Sequence, residues 1–406
     1  MRILECDCCG LRHTLGDLSP DRTASCRRCG GVLASTPANS LERSLALALM
    51  GLILVIVANT MPFMSLNIQG RVQLATLITG DLALFDQGKW ELAALVLFTT
   101  VLAPAIKLCM ICYVLIGLRM RRPPPKLAYV LWLLDYLHPW AMIEVYLLGV
   151  FVAYVKLAAF STIVVGPACY ALATLLLAMV ALDSILDFDT VWAEVERRGL
   201  VAKPTARPGE ALLLCETCNL VGPIGSGSHA CPRCGAQRHY RKPNSVMRAW
   251  ALVITAVVLY LPANILPVMT VVSFGSGESD TILSGVKALF LGGMWPLALL
   301  VFFASITVPV LKISSLIFLL ITTQRGSRWR LKDRTILYRI VEAVGRWSMI
   351  DIFMMSILAG LVRLGSIATI DIGTGAIAFA GVVVITMFAA SAFDPRLMWD
   401  AAGENK

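Results

Sequence analysis

The chain has 406 residues, of which 58% are hydrophobic and 15% are charged. This composition excludes an ordinary soluble domain, in which about 25% of residues are charged, and it predicts a membrane protein with several spans. The formal net charge of +9 is concentrated in a few loops, so we interpret it as an orientation signal rather than as a nucleic-acid-binding surface.

The first element along the chain is a small cysteine-rich module at residues 1–40. It contains two Cys-x-x-Cys pairs, whose thiols are Cys6, Cys9, Cys26 and Cys29. Four thiolates with this spacing predict a closed tetrahedral zinc site that folds a ribbon too small to be stable alone. Iron also suits four thiolates, and Cys8 is a spare thiol for Cys6 or Cys9. Because this segment is polar, we expect no cleavable signal peptide.

Residues 41–190 form a first transmembrane module of four predicted helices. The apolar runs long enough to cross a bilayer are 45–63, 92–118, 140–155 and 162–182. Asn59 and Pro62 mark the end of the first helix. The segment 65–79 mixes β-branched residues with glycine and polar residues, which predicts short strands in an extracytoplasmic cap.

The second span carries polar groups within a long apolar run. Pro104 removes a helix hydrogen bond and frees the carbonyl of Thr100, and Lys107 shares a helix face with Thr100. A lysine in hydrocarbon is costly unless it is paired or hydrated, so Lys107 should face the bundle interior or a water-filled cavity. Two interpretations stay open: a pair that locks the helices, or a polar site that binds a head group or carries a proton.

The third span has a charged residue near each end. Glu144 lies near the start, where the helix dipole favours a carboxylate. It is also a candidate partner of Lys107, although its depth argues against a simple contact. Lys156 lies at the outer end, where we expect its side chain to snorkel toward the membrane surface.

The second half of the chain repeats the first. A linker at 191–209 leads to a second zinc ribbon at 210–242, with ligands Cys215, Cys218, Cys231 and Cys234, and to a second module at 243–400. Its predicted spans are 247–266, 296–321, 347–363 and 370–393. Matching residues lie 205 positions apart through the sixth span and 207 apart afterwards, which one two-residue loop insertion explains.

The repeated positions carry the same chemistry. Ser305, Pro309 and Lys312 repeat Thr100, Pro104 and Lys107, while Asp351 repeats Glu144 and is a candidate partner of Lys312. Thr386 is a mid-span hydroxyl of the eighth helix with no copy in the first half, because Met179 stands at the matching position. We therefore expect the second module to be more polar inside and the two modules to have unequal roles.

Three further patterns complete the prediction. Asn264 and Pro267 end the fifth helix, 270–284 predicts a second cap, and 335–346 predicts an amphipathic helix on the inner surface. The positive-inside rule then puts both termini and both ribbons in the cytoplasm. Both modules run in the same direction, which excludes an inverted repeat. The basic residues behind this orientation are Arg119, Arg121, Arg122, Lys126, Arg241, Lys242, Arg248, Arg325, Arg328, Arg330, Lys332, Arg334 and Arg339.

With the ribbons and both Asn-x-x-Pro motifs in view, two further stretches carry a resemblance to a known family. They are Arg-Trp-Ser-Met-Ile-Asp-Ile-Phe at 346–353 and Phe-Asp-Pro-Arg-Leu-Met-Trp-Asp at 393–400. Over essentially its whole length the chain resembles the paraquat-inducible protein A family (PqiA/LetA). The resemblance implies an all-α membrane protein with two tandem tetraspanin-like four-helix modules, each preceded by a cytoplasmic zinc ribbon.

The resemblance also implies a location, a partner and a set of site residues. It implies a multi-pass protein of the Gram-negative inner membrane, working with a membrane-anchored MCE-domain protein that forms a periplasmic tunnel. It further implies a polar cluster in the second module at Ser305, Lys312 and Thr386, and a basic position at Lys156. Relatives can carry an acid just after that lysine, whereas residues 157–159 are apolar here.

The function expected from the sequence is transport of phospholipid-like molecules between the inner membrane and that tunnel, which maintains the outer membrane. The alternatives are a stand-alone proton-coupled exporter of small amphiphiles, a stress-related membrane protein, a redox protein with iron in the cysteine sites, and a structural anchor for an MCE-domain protein. The sequence has no Walker A motif, nucleophile–base pair or open metal site, so we expect no enzyme activity.

Overall fold

The computed structural model describes residues 2–16, 19, 22–37, 40–68, 71–121, 124, 126–158, 162–201, 212–223, 230–273, 276–362 and 368–403. Within these residues, eight helical stretches are long and apolar enough to cross a membrane. The protein is mostly helical, and its short strands lie in the ribbons and in two caps. We call the end of the bundle that carries the ribbons the ribbon end, and the opposite end the sheet end.

The first ribbon consists of two antiparallel hairpins, and the second contributes one. Their strands are β1 (Arg2–Glu5), β2 (Arg12–Leu15), β3 (Thr23–Ser25), β4 (Val32–Ser35), β8 (Leu212–Leu214) and β9 (Val221–Pro223). In each knuckle, a residue with positive φ follows the second cysteine and donates its backbone N–H to the carbonyl of the first cysteine. That conformation favours glycine, which supplies three of the four positions, and Asn219 supplies the fourth.

The first module contains eight helices and three strands. They are α1 (Ser40–Thr60), β5 (Met64–Ile68), β6 (Arg71–Ala75), α2 (Thr79–Asp86), α3 (Trp90–Leu97), α4 (Ala103–Gly117), α5 (Leu127–Leu137), α6 (Ile143–Ala158), β7 (Thr162–Val165), α7 (Pro167–Ile185) and α8 (Phe188–Arg197). Helix α8 occupies the start of the predicted linker, whose residues 202–209 lie outside the described residues.

The second module repeats this order. Its elements are α9 (Ser245–Ile265), β10 (Met269–Ser273), β11 (Ser276–Asp280), α10 (Ile282–Leu291), α11 (Trp295–Phe302), α12 (Val308–Gln324), α13 (Leu331–Val344), α14 (Ile350–Leu361), β12 (Ala368–Ile372), α15 (Thr374–Ala392) and α16 (Arg396–Ala401). Helices α1 and α9 end at Thr60 and Ile265, so the structure confirms that the Asn-x-x-Pro motifs terminate them.

The predicted backbone breaks at the intramembrane prolines take the form of π-helical turns. These turns are Phe98–Leu102 and Phe303–Thr307, each placed just before the proline. A π turn absorbs the hydrogen bond that proline cannot donate while it keeps the helix continuous. The hydroxyls of Thr100 and Ser305 donate to carbonyl oxygens one turn earlier, at 2.8 and 2.6 Å.

Each cap is a three-stranded antiparallel sheet at the sheet end. The orders are β6-β5-β7 and β11-β10-β12, with Leu66 opposite Gln73 and Ile163. The predicted short strands are therefore present, but the predicted starts of the fourth and eighth spans were wrong. The runs at 162–165 and 368–372 form the third strands, and the helices begin later, at Pro167 and Thr374. A short β-branched run next to a span has the hydropathy of the span itself, which explains the error.

The stretches before the third and seventh spans are also helical. Helix α5 joins α6, and α13 joins α14, through short 3₁₀ turns, so each forms one apolar stretch of about 30 residues. A helix is present where the amphipathic helix was predicted, as α13, but it begins earlier, at Leu331, and continues into the seventh span. It turns Arg334, Thr335, Tyr338 and Val341 toward the bundle, and the Tyr338 hydroxyl donates to the Ala390 carbonyl at 3.2 Å.

The two modules meet around α14, whose twelve residues are all buried. Helix α14 packs against α6 and α2 of the first module. Phe353 stacks edge-to-face on Tyr146, with ring centroids 5.5 Å apart. The Gln87 side chain, at the end of α2, bonds to the backbone of Ile370 and Ile372 in the second cap, at 2.8 and 2.9 Å.

This interface is not symmetric. Gly80 of α2 lies so close to α14 that a Cβ there would be 2.6 Å from the Ser356 carbonyl oxygen. Gly285, the matching residue of α10, has no atom within 4 Å of an added Cβ. Helix α2 therefore closes against the partner module, whereas α10 stands away from it.

A pair of matched substitutions tests this asymmetry. We expect Gly80→Ala to lower the free energy of unfolding by about 1–3 kcal/mol, because overpacked side chains must shift. Gly285→Ala should leave stability unchanged or raise it slightly, because alanine favours a helix over glycine. Thermal unfolding of both purified variants in one lipid nanodisc system provides the measurement, and equal destabilisation by the two changes would contradict the asymmetric packing.

Candidate functional site

The space left by α10 is a pocket between the two modules near the sheet end. Its volume is about 50 Å³, so it is a narrow crevice. Its wall from the first module is α6, and α10, α14 and the second cap supply most of the rest. Most of its surface is apolar, and its apolar lining includes Val152, Val268, Met269, Ile282, Val286, Leu289, Leu297, Val301, Met354, Met355 and Phe379.

Polar side chains also line the pocket, among them Thr281 at the start of α10 and four others. Asp280 comes from the second cap and Lys156 from the end of α6, whereas Ser305 and Asp351 come from the membrane-spanning helices. Asp351 is 7% exposed, and its Oδ1 atom has no hydrogen-bond partner among the described residues. A buried carboxylate oxygen without a partner is costly, so a proton or a ligand at this point would stabilise the pocket.

The matching place in the first half is nearly filled. A smaller cavity of about 10 Å³ lies there, and its lining includes Phe63, Thr76, Gly80 and Tyr146. Asp81, the counterpart of the pocket residue Val286, accepts a hydrogen bond from the Ser356 hydroxyl of α14 at 3.4 Å. A polar contact between modules thus closes one side of the interface, and an apolar pocket occupies the other.

The sequence-predicted polar residues separate into three groups. Ser305, Asp351 and Lys156 line the pocket together. Lys156 was expected to snorkel toward the membrane surface, but its side chain lines the pocket. The reason is that Lys156 lies near the end of α6, next to the gap between α6 and α10. Lys312 and Thr386 lie elsewhere in the second module, and the Thr386 hydroxyl donates to the Val383 carbonyl at 2.9 Å.

The remaining three residues, Thr100, Lys107 and Glu144, belong to the first module. Glu144, the candidate partner whose depth argued against a simple contact, does not pair with Lys107. The Lys107 ammonium donates to both carboxylate oxygens of Asp183, at 2.7 and 2.9 Å, and Glu144 pairs with Arg346 of the other module at 3.1 Å. Asp183 was not predicted as the partner of Lys107, because the matching residue of the second half, Ala390, is not an acid.

Because the second module has alanine in place of Asp183, its intramembrane lysine lacks the matching carboxylate. The Lys312 side chain is 4% exposed, and its ammonium has no hydrogen-bond partner among the described residues. A Cβ on Gly345 would lie 2.6 Å from that ammonium, so the glycine at 345 leaves room for it. Asp351, the other candidate partner, makes no ion pair with Lys312. Of the two matched lysines, Lys107 is therefore paired, and Lys312 has no partner among the described residues.

The cysteines form two compact clusters. Within each cluster, the four sulfurs lie within 4.8 Å of one another. The first cluster contains Cys6, Cys9, Cys26 and Cys29, and the second contains Cys215, Cys218, Cys231 and Cys234. Sulfur pairs across each cluster are 3.5–3.6 Å apart. Zinc with four sulfurs at about 2.3 Å requires separations close to these, so both donor sets fit a tetrahedral metal ion. Cys8 lies outside the first cluster.

The C-terminal motif anchors the ribbons to the second module. Arg396 bridges Asp394 of its own motif and Glu216 of the second ribbon. Burial alone would raise the pKa of Asp394, but the hydrogen bonds and charge of Arg396 outweigh it and hold that pKa below its usual range. The Arg28 guanidinium of the first ribbon lies over the Trp399 ring, and the distance from its Cζ atom to the ring centroid is 5.2 Å.

Comparison with known proteins agrees with this architecture. A family model described as paraquat-inducible protein A matches residues 41–196 and 246–403, one match for each membrane module. The chain belongs to the paraquat-inducible protein A family. Among relatives, intermembrane transport protein PqiA of Escherichia coli K12 is 33% identical over 99% of this chain and 96% of its own length.

Two further relatives are similar to the chain over nearly their full length. Lipophilic envelope-spanning tunnel protein A of Escherichia coli K12 is 30% identical over 98% of this chain and 91% of its own length. A probable intermembrane transport protein of Haemophilus influenzae is 28% identical over 98% of this chain and 95% of its own. No solved structure matches the chain. The relatives carry the names of transport proteins of the envelope, in keeping with eight apolar helices.

The two lysines predict opposite effects on stability. Asp183→Asn should lower the free energy of unfolding by about 2 kcal/mol, less than for a fully buried pair because Asp183 is partly exposed. Lys312→Met should raise stability, because it replaces an unpaired buried ammonium by an apolar chain of similar length. Thermal unfolding under identical detergent conditions checks both signs, and a destabilised Lys312→Met variant would mean that Lys312 has a partner.

The clusters predict a metal content. We expect two metal equivalents per chain by elemental analysis, falling to one in Cys9→Ser and in Cys218→Ser, because each change removes one thiolate of one site. Colourless protein would indicate zinc, and visible absorption would indicate iron. Cys8→Ser is the matched control and should keep both equivalents; loss of metal in that variant would place Cys8 in the cluster.

Proposed function

We propose that the protein is the inner-membrane subunit of an intermembrane lipid transport system. In this proposal, the narrow pocket between α6 and α10 widens as α10 moves outward, accepts an acyl chain of a phospholipid-like molecule from the bilayer, and passes the molecule to a periplasmic tunnel protein of the MCE type. The observation that carries the proposal is the apolar pocket at the sheet end, which contains an unpaired carboxylate oxygen and a lysine. The names of the relatives, which describe intermembrane transport and an envelope-spanning tunnel, support it.

The position of α10 supports lateral access from the membrane. This short apolar helix turns Gly285, Val286 and Leu289 toward the pocket. Its opposite face exposes Leu283, Phe290 and Leu291, each more than 60% accessible. A helix that separates an apolar pocket from the lipid on its other face is a suitable gate for an acyl chain, because its outward movement exposes no unpaired backbone groups.

The charges of the pocket suit a phospholipid. In the proposal, Lys156 contacts the phosphate of the head group, since an ammonium is a good phosphate partner. Ser305 and Asp351 would then hold a proton or a head-group donor below it. Lys312 and Thr386 would contribute further polar groups in the same module. Thr100, Lys107 and Glu144 would have a structural role in the first module.

The orientation follows from the basic loops. The positive-inside rule puts the ribbon end in the cytoplasm and the sheet end in the periplasm, so the pocket would lie on the side of the tunnel protein. The two cysteine clusters would bind zinc and serve to fold the ribbons, because a fully ligated zinc offers no open position to a substrate.

One observation favours the alternative of a stand-alone exporter of small amphiphiles. A second and wider cleft, of about 590 Å³, lies at the ribbon end of the same interface. Its walls carry Asp135, Glu342, Trp132 and Trp140, and both ribbons border it. Two cavities at opposite ends of one interface suit alternating access. Co-purification of a tunnel protein from native membranes would favour the proposed transport system, and purification of the protein alone would favour the exporter.

Site-specific photo-crosslinking tests the pocket directly. A diazirine amino acid at Val286 should crosslink to phospholipid in native membranes, and Gly285→Leu should abolish that product. The leucine fills the pocket without a clash at its Cβ, because that position has no neighbour within 4 Å. The same probe at Val258, an exposed residue of α9, reports lipid around the protein and should be unaffected.

The outcomes separate the hypotheses. If Val286 captures no lipid while Val258 does, the pocket is not a lipid site. If Gly285→Leu blocks the Val286 product yet still restores the outer-membrane barrier in a deletion strain, the pocket binds lipid without serving transport. The proposal requires loss of both the crosslink and the barrier.

A further inference from the structure

The first metal cluster has a contact with an arginine of the second module. The Arg339 guanidinium of α13 donates to the Cys29 sulfur at 3.0 Å and to the Cys29 carbonyl at 3.4 Å. Its Nε atom lies 3.4 Å from the Cys8 sulfur. Cys29 is one of the four predicted ligands, so Arg339 bonds directly to a ligating atom.

A guanidinium is well suited to this position. Four thiolates around a divalent ion leave two net negative charges, and hydrogen bonds to ligand atoms stabilise that charge and orient the ligands. The geometry of the donor set fits a metal ion, as described above. The contact at Cys29 is therefore chemically strongest when the site is loaded.

The approach of Arg339 depends on a glycine. A Cβ on Gly31 would lie 2.7 Å from the Arg339 Nη2 atom. At the matching place in the second ribbon, two residues beyond Cys234, the chain has Ala236. The ribbon sequence thus leaves room for the guanidinium in the first ribbon alone.

The second ribbon also has no such partner. Trp132 stands at the position of the first module that matches Arg339. Arg233, which lies between Cys231 and Cys234, donates to the Cys218 carbonyl and to Glu196 of α8. Among the described residues, no arginine or lysine donates to a sulfur of that cluster. The contact occurs once in a molecule built from a repeat.

This contact joins the two halves of the chain. The first ribbon continues into α1 of the first module, whereas Arg339 belongs to the second. Helix α13 ends next to Gly345, against which the unpaired Lys312 ammonium lies. The ribbon therefore holds one part of a helix whose end packs against a buried polar group.

We propose that Arg339 is a positioning residue for the first metal site, and that metal bound there fastens the second module to the first through this arginine. The inference goes beyond the proposed function and does not depend on it, since it concerns metal retention and the contact between modules. It predicts that the two metal sites differ in the rate at which they release their ion, and that α13 follows the state of the first site.

The first test is the release of zinc to a chromogenic chelator from the full-length, zinc-loaded protein in nanodiscs. Cys218→Ser serves as the background, because it leaves only the first site loaded. In that background, Arg339→Ala should release zinc about 10–100-fold faster, and Arg339→Lys should restore part of the difference. Lys332→Ala is the matched control, because it removes an exposed charge from the same helix, and its release rate should be unchanged.

The second test measures the contact itself. Fluorescent amino acids at the exposed positions Val32 of β4 and Ile336 of α13 report the distance between ribbon and helix. Zinc removal should lengthen and broaden this distance, and Arg339→Ala should do so with zinc still bound. Unchanged zinc release in Arg339→Ala would overturn the positioning role. If the distance changes neither on zinc removal nor in Arg339→Ala, the proposal that this contact holds the two modules together is overturned.

Discussion

The packing of α14 determines most of the architecture. A helix buried on every side must be enclosed by other elements, and here α6 and α2 of the first module supply that enclosure. Close approach on the α2 side requires Gly80 against Ser356 and Gly360. Because α10 makes no matching approach to α6, the pocket remains there. The duplicated sequence therefore produces one closed contact and one open pocket, and the pocket is the proposed functional site.

The unequal lysines follow the same division. In the first module, Lys107 is neutralised by Asp183 at the end of α7, which makes the module a rigid, paired scaffold. In the second, the counterpart of that acid is Ala390, and Lys312 is left buried without a partner. Stability alone does not favour an unpaired buried ammonium. This division is the basis for proposing a structural role for the first module and a binding or proton-carrying role for the second.

Much of this could be predicted from the sequence, because the repeat doubled each signal. The two ribbons, the helix ends at Asn-x-x-Pro and the breaks before Pro104 and Pro309 were visible as paired motifs. The repeat also led to an omission: Asp183 was not predicted as a partner of Lys107, because the second half has no acid at the matching position. The third cap strands were hidden because β-branched runs beside a span share its hydropathy. Contacts between the halves, such as Glu144 with Arg346, depend on tertiary packing that no local pattern encodes.

The measurement that tests the account most directly is a cryo-electron microscopy structure of the protein in nanodiscs formed from its native lipids. The account predicts elongated lipid density in the pocket between α6 and α10, with its polar end near Lys156, and none between α2 and α14. Lipid density on the α2 side, or an empty and symmetric pair of interfaces, would contradict it.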